Sequence, residues 1–565
     1  MATVVVVRAD TARANEWGSD AMKILFSPVG LTNPGSTAAR RPLGVRKRVL
    51  IVNVFFDDFR RTTGSPYKVP QAMGPAYLAG AFSRELCDVR LYNEQSSGSL
   101  HDMKLLGWPD MLVLTGLTLG FDRMLHLTAY ARTLNEKVIV VAGGPAVRAL
   151  PRYSRRFFDY ACVGDIEQLQ LIAREAFGEA YVAHEMFPRF DLVNSPGRLG
   201  YVESSRYCNF RCSFCSLTGE SNRYQKYDLD YIRRQILSVE RSEILFIDNN
   251  FYGNDRKFFL DRMALLKGMH QKGQLKGWAA ILTADFFLKA ENLELAREAG
   301  CKALFSGVES FDRDTLLSYN KRQNIRMPQV EMIRGCLESG IAFHYGVMLD
   351  VTARRLVDLG REIEFIVDSP EISLPTFFTL AIPLLGTPYF KDCLKRGLFL
   401  PNVRLRDLDG LTIAMRPLDP LDEAANFVRD MSTLRRYRGR VARHAVNFYK
   451  RYRRTLGTVP MMAALASAAL ICAPCLVTSP GRMAFRRARR TYIATTEFLD
   501  PQYTPILRVA ARFEKYFRPT LVTDETGGLA CELAEDLGDA VAGHPAEVIY
   551  AGRQRAVRRI ESGCS

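Results

Sequence analysis

The stretch "GRLGYVESSRYCNFRCSFCS" (197–216) decides how the chain is read. Its first half, "GRLGYVESS", reads as a strand. That strand runs straight into a loop holding Cys208, Cys212 and Cys215, three of the twelve cysteines in the chain. Working outward, strand and helix signals alternate. "LDYIRRQILSVE" (229–240) predicts a helix and "EILFIDNNF" (243–251) a strand, followed by further strands at "LKGWAAIL", "CKALFSGVES" (301–310), "IAFHYGVMLD" and "PTFFTLAIPLLGTP" (375–388). Six β/α units in about 200 residues point to a partial parallel barrel, whose chemistry belongs at the C-terminal ends of the strands. The cysteine loop sits at the first of those ends.

Thiolates at C-x-x-x-C-x-x-C can ligate three irons of a 4Fe–4S cube and leave the fourth without a protein ligand. An open iron serves poorly in plain electron transfer and well in chelating a substrate. Zinc is the rival reading. A structural zinc site wants four Cys or His ligands, and no paired second half follows within thirty residues. Chance clustering is the third reading.

Upstream, a second alternation runs through "RVLIVNVF" (48–55), "MGPAYLAGAFSREL" (73–86), "DVRLYNE" (88–94), "DMLVLTGL" (110–117), "FDRMLHLTAYARTLN" (121–135), "KVIVVAGG" (137–144), "DYACVGD" (159–165) and "IEQLQLIAREAF" (166–177). Fully apolar strands between helices predict a doubly wound parallel sheet covered on both faces. Its ligand should sit beyond the strand C-termini, where "TGLTLG", "AGGP" and "VGD" fall. No G-x-G-x-x-G follows the first strand, which argues against NAD. The expected division is a leader (1–45), the doubly wound domain (46–180), a proline-punctuated linker (181–200), the barrel (201–400) and a mostly helical C-terminal region (401–565) that closes the site and selects substrate.

The net charge is +16, with basic runs such as "YKRYRRT" (449–455) and "RMAFRRARRTY" (482–492). The basic residues are dispersed, which argues against nucleic acid and leaves an anionic small molecule or a membrane surface. Scattered cysteines and a start without a secretory pattern indicate a reducing, cytoplasmic setting. "VPMMAALASAALICAPCLV" (459–477) is apolar but marginal for a span of about 20 residues. It is expected as a buried or surface-lying helix, with peripheral membrane contact open. Cys472 and Cys475 within it form a C-x-x-C that reads more simply as two buried thiols than as a redox pair.

The cysteine loop, with an aromatic before its third cysteine, resembles the signature of the radical S-adenosylmethionine (SAM) superfamily over roughly residues 198–400. The resemblance implies a 4Fe–4S cluster on Cys208, Cys212 and Cys215, with the SAM amine and carboxylate on the free iron and the Phe214 backbone beside the adenine. It also implies an external one-electron donor such as flavodoxin or ferredoxin. "IDNNF" and "GVES" resemble SAM-contacting segments, which makes Asp248, Asn250, Gly307 and Glu309 candidates. Read from the residues alone, Asp248 could cap the next helix and Glu309 could be an ordinary turn residue.

The upstream domain resembles that of cobalamin-binding members, and Thr115, Gly116, Gly143, Gly144 and Gly164 would line the cofactor. The Asp-x-His-x-x-Gly cobalt motif is missing, and His101 and His126 lack its context. The lower cobalt face would then meet water or the "FDDFRRTTGSPY" loop, with Arg60 and Arg61 as candidates. The implied activity is transfer of a methyl group from SAM, by way of cobalamin, to an unactivated carbon of a small-molecule substrate such as a secondary metabolite or lipid-like compound. Two alternatives stand beside it: a cobalamin-dependent cyclase or oxidase, and a non-enzymatic basic scaffold.

Overall fold

β1 (Lys47–Asn53) buries Val49, Leu50, Ile51 and Val52 completely, as a strand covered on both faces must. The computed structural model describes residues 45–56, 72–193, 199–220, 223–472, 493–494 and 503–538; the leader and the Arg60–Arg61 loop lie outside them. With β2 (Cys87–Asn93), β3 (Met111–Thr115), β4 (Ile139–Gly143) and β5 (Tyr160–Cys162), β1 forms an all-parallel sheet ordered β2-β1-β3-β4-β5. Side chains alternate across it. Val49, Ile51, Met111 and Val113 face Leu169 and Ile172 of the helix Gln168–Phe177. Leu50, Val52, Leu112 and Leu114 face Phe121, Met124 and Leu125 of the helix Phe121–Leu134. The strand order reverses between β1 and β3, so the crevice for a ligand opens at their C-terminal ends.

The helix expected over 73–86 stops early, at Gly74–Ala79. A side chain on Gly80 would strike the Phe187 carbonyl, and Phe82 turns out to bridge Val182. The linker docks here and occupies the space a longer helix would need.

The second domain contains β6 (Leu199–Val202), the short hairpin β7 (Ser205–Arg206) and β8 (Gln225–Lys226), then β9 (Glu243–Phe246), β10 (Gly277–Leu282), β11 (Cys301–Ser306), β12 (Ala342–His344), β13 (Gly346–Leu349) and β14 (Phe377–Leu380). Parallel pairing runs β12-β11-β10-β9-β6 and β13-β14. β12 and β13 are one stave broken at Tyr345, and a Glu309–Val347 bridge joins β13 to the chain leaving β11. The six staves read from the sequence are thus present as a partial barrel.

The C-terminal region divides its contacts. The helix Thr458–Cys472 packs on the helix Arg438–Tyr452 and on β11 and β12. The Thr455 carbonyl comes 3.2 Å from the position of a side chain on Gly340, at the N-terminal end of β12. The apolar stretch, as far as residue 472, therefore covers the barrel end away from the cysteine loop; Met461, Ala464 and Ala468 are buried there. Residues 473–477, Cys475 included, lie outside the described part. Among the described residues no helix is long and apolar enough to cross a membrane.

Residues 503–523 return to the first domain. Tyr503 donates to Asp122 at 2.6 Å, the Ile506 amide donates to the Tyr130 hydroxyl, and Arg404 bridges Leu521.

Gly144 has φ +111, and a side chain there would meet the Gly116 carbonyl at 2.5 Å. Gly144→Ala is expected to destabilise the protein by about 2–4 kcal/mol, read as a lower urea midpoint.

Candidate functional site

The cysteine loop is pinned from several sides. Tyr207 adopts φ 63, and its amide donates to Asn249 Oδ1 at 3.1 Å. The Ser213 amide donates to the Tyr319 carbonyl, and the Tyr389 amide to the Ser213 carbonyl. Thr218 Oγ1 donates to the Cys212 carbonyl at 2.8 Å. Phe214 packs edge-on against Tyr319, with ring centroids 5.4 Å apart.

Cys208, Cys212 and Cys215 are free thiols, Cys212 buried and the other two partly so. Burial pushes the Cys208 thiol up to about 11, and the neighbouring cysteines add to the rise. Positive charge bound among these thiols would favour their thiolate forms. Among the described residues no three Cys, His, Asp or Glu side chains are grouped to hold a metal ion.

Asp248 is fully buried at the end of β9. Oδ1 accepts the Ser204 amide at 2.7 Å; Oδ2 accepts the Ser204 hydroxyl at 2.5 Å and the Ser205 hydroxyl at 2.6 Å. Arg262 stands 3.5 Å away, stacked on Phe251 and Phe258. Both Asp248 oxygens hold the end of β6 that leads into the cysteines, a task that stands beside the ligand contact expected from the sequence.

Asn250 differs. Its Nδ2 donates to Asn209 at 2.6 Å, while its Oδ1 is buried without a partner. Asp285 Oδ2, Ser306 Oγ, Gln323 Oε1 and Asn324 Oδ1 are likewise buried and unpaired. Buried polar atoms are normally satisfied. These five lie just beyond β9 and β10, at the end of β11 and on the segment over the cysteines. Such a set suits a ligand rich in hydroxyl, amine and carboxylate groups.

Glu309 (φ 64) accepts from the buried Lys321 ammonium at 2.7 Å. Gly307 leaves room for that pair, since a side chain there would collide with both partners. Lys321, Gln323 and Asn324 were missed in the sequence. They belong to "YNKRQNIR" (319–326), a polar run without periodicity or motif; its one signal is its position just after the fourth stave.

In the first domain Gly116 and Gly144 pack backbone to backbone, and a side chain on Gly116 would also meet Val54 at 2.6 Å. Gly143 makes only ordinary contact with Cys162, and the Gly164 amide donates to Gln168 at 2.7 Å. Thr115, Gly116, Gly143 and Gly144 are partly exposed and Gly164 is exposed, as is the neighbouring Leu117. His126 is not among them: it is buried and stacked on Phe517 at 4.4 Å.

The same end of the sheet touches the barrel. Tyr207 donates to Asp165 at 2.6 Å, Arg206 pairs with Glu167 at 2.7 Å and Glu203 at 2.8 Å, and Arg148 pairs with Glu220. Tyr77 donates to Gln235 at 2.7 Å, and the Gln235 amide donates to the Glu203 carbonyl.

Asp248→Ala would strip Ser204 and Ser205 of their acceptor and leave Arg262 without its carboxylate. An expected loss of about 3–5 kcal/mol is measurable by urea unfolding. Burial pushes the Glu203 carboxyl up to about 7 from 4.5, against the pull of Arg206. The stability this group contributes is present below its unfolded value and lost as pH rises through about 7. Glu203→Gln should flatten the fall in unfolding free energy over that window.

The Radical SAM superfamily profile matches residues 202–363. The chain is similar to the hopanoid C-2 methylase of Rhodopseudomonas palustris, 27% identical over 297 residues, covering 48% of this chain and 54% of that protein. It is also similar to the bacteriochlorophyllide d C-12(1)-methyltransferase of Chlorobaculum tepidum, 29% identical over 212 residues, covering 35% and 45%. The chain thus spans about half the length of these curated relatives. Its fold matches that of TsrM, a radical S-adenosylmethionine methyltransferase from Kitasatospora setae solved with tryptophan and a SAM analog, with a TM-score of 0.51 at 14% identity over 78% of this chain and 98% of that one. With the cysteine loop at the first stave of a six-stave barrel, residues 202–363 form a radical SAM domain.

Proposed function

We propose that the protein is a cobalamin-dependent radical SAM methyltransferase acting on an unactivated carbon of a small apolar or lipid-like substrate. One observation carries the reading: the barrel end that holds the three-thiol loop also holds five buried, unpaired polar atoms, three just past or at strand ends and two on the segment over the cysteines. Methyltransferase relatives and the shared fold with TsrM support it. When bound, a 4Fe–4S cluster and SAM supply one-electron chemistry and a methyl source, and cobalamin supplies methyl relay.

The chain's own residues divide the remaining work. Cys208, Cys212 and Cys215 would hold the cluster, and Asp248 fixes the backbone that presents them. Asn250 and Asp285 offer unpaired oxygens to the SAM amine and hydroxyls. In the first domain the edge made by Thr115, Gly116, Gly143, Gly144 and Gly164 offers small residues and the exposed Leu117, which suits a broad, partly apolar macrocycle. The Asp165–Tyr207 and Glu167–Arg206 contacts bring that edge to the barrel mouth.

Beyond β13 and β14, Leu349, Val351, Ile382, Leu408, Ile413 and Met415 pack with Asp350 and Asp407 around a void of about 10 Å³, room for no more than a water, so the apolar acceptor is proposed from the substrates named for the methylase relatives. A cytoplasmic setting with a flavodoxin or ferredoxin as electron donor completes the proposal. The helix Arg438–Tyr452, exposing Val446 and Tyr449 beside Lys450 and Arg453, would serve any peripheral membrane contact.

After anaerobic reconstitution with iron, sulfide and cobalamin, turnover should yield a product one CH2 unit heavier than the acceptor. Cys212→Ala should abolish both cluster absorbance and product. Asn250→Ala should weaken SAM binding about tenfold, matching the loss of one hydrogen bond to a charged group, measured by calorimetry. A product without added mass would favour the cyclase or oxidase reading.

A further inference from the structure

The segment over the cysteine loop places one amide against a cluster sulfur. Gln323, 3% exposed, donates Nε2 to Cys212 Sγ at 3.4 Å. A thiolate accepts and cannot donate, so the nitrogen of the amide is the atom that faces it. Among the described residues this is the one side-chain hydrogen bond to the sulfur of Cys208, Cys212 or Cys215. Beside it Lys321, 7% exposed, stands 5.4 Å from the Phe214 ring centroid, held by Glu309 at 2.7 Å. Asn324 braces the turn by donating to the Gly307 carbonyl at 2.7 Å and the Val308 carbonyl at 3.1 Å. A side chain thus braced, next to a buried sulfur, is screened little by solvent.

We propose that Gln323, with the Lys321–Glu309 pair as its charged neighbour, is a positioning residue that sets the reduction potential of the cluster. The inference rests on the reading that Cys208, Cys212 and Cys215 hold a 4Fe–4S cluster. One electron from an external low-potential donor adds one negative charge to the cluster, and its thiolate sulfurs share that charge. A donor aimed at one of those sulfurs stabilises the reduced form more than the oxidised form and raises the potential. The ammonium acts in the same direction. Gln323 therefore makes the cluster easier to reduce at its Cys212 corner and leaves the corner without a protein ligand untouched.

The test uses the full chain, reconstituted anaerobically with iron and sulfide and titrated with dithionite while the reduced cluster is followed by EPR. Gln323→Leu should lower the reduced-to-oxidised ratio at a fixed solution potential about tenfold, a fall of about 59 mV for a one-electron couple. Gln323→Asn keeps the polarity but shortens the reach, and it should shift in the same direction; it decides the matter should the leucine variant fail to load iron. Lys321→Met combined with Glu309→Gln keeps the net charge and should give a smaller fall. Unchanged midpoints in Gln323 variants with full iron content overturn the inference. A wild-type protein with no reducible cluster signal overturns instead the reading beneath it.

Discussion

The site depends on a carboxylate whose two oxygens are both tied to the chain's own backbone and hydroxyls. Asp248 is sealed at the end of β9, where it accepts from the Ser204 amide and from the hydroxyls of Ser204 and Ser205. Those serines are the last fixed points before Tyr207 turns into the left-handed region and the cysteines begin. Burying such a group is expensive, and the cost is offset because its oxygens are bonded and Arg262 stands near. Covering that guanidinium with Phe251 and Phe258 keeps water from competing. The position of each thiol in the loop is thus set from beneath, by a polar centre buried under it.

A second layer of control comes from outside the barrel. The loop after β5 contributes Asp165 and Glu167 to Tyr207 and Arg206, which directly precede Cys208. On the same side Tyr77 and Gln235 connect the first domain to Glu203. The two strand-end faces, built by separate alternations in the chain, therefore share one ionic seam. A shift in either sheet is felt at the residue that starts the cysteine loop.

How much of this was legible follows from the kind of residue involved. The strands of both domains were readable because parallel strands covered on two faces need unbroken apolar runs, as in "VLIV" and "LVLT". The cysteine trio was readable because its spacing serves few other purposes. Asp248 was legible as a functional position but its intrachain bonds were not, since a carboxylate at a strand end looks the same in sequence whether it faces a ligand or the interior. Gly116 and Gly144 were taken for cofactor contacts, and the structure adds that their backbones pack on each other. The arrival of Lys321, Gln323 and Asn324 over the cysteines depends on how the chain after the fourth stave folds back, and no local pattern encodes that. The early end of the 73–86 helix likewise came from the linker, a partner more than 100 residues downstream.

The strap formed by residues 503–523 constrains how anything reaches the space between the domains. It fastens to Asp122 and Tyr130 on one side and to Val403 and Arg404 on the other. Pulling the two halves apart would mean breaking one of these attachments and the ionic seam together. Exchange of small molecules must then proceed by local loop movement, with the two halves staying in register.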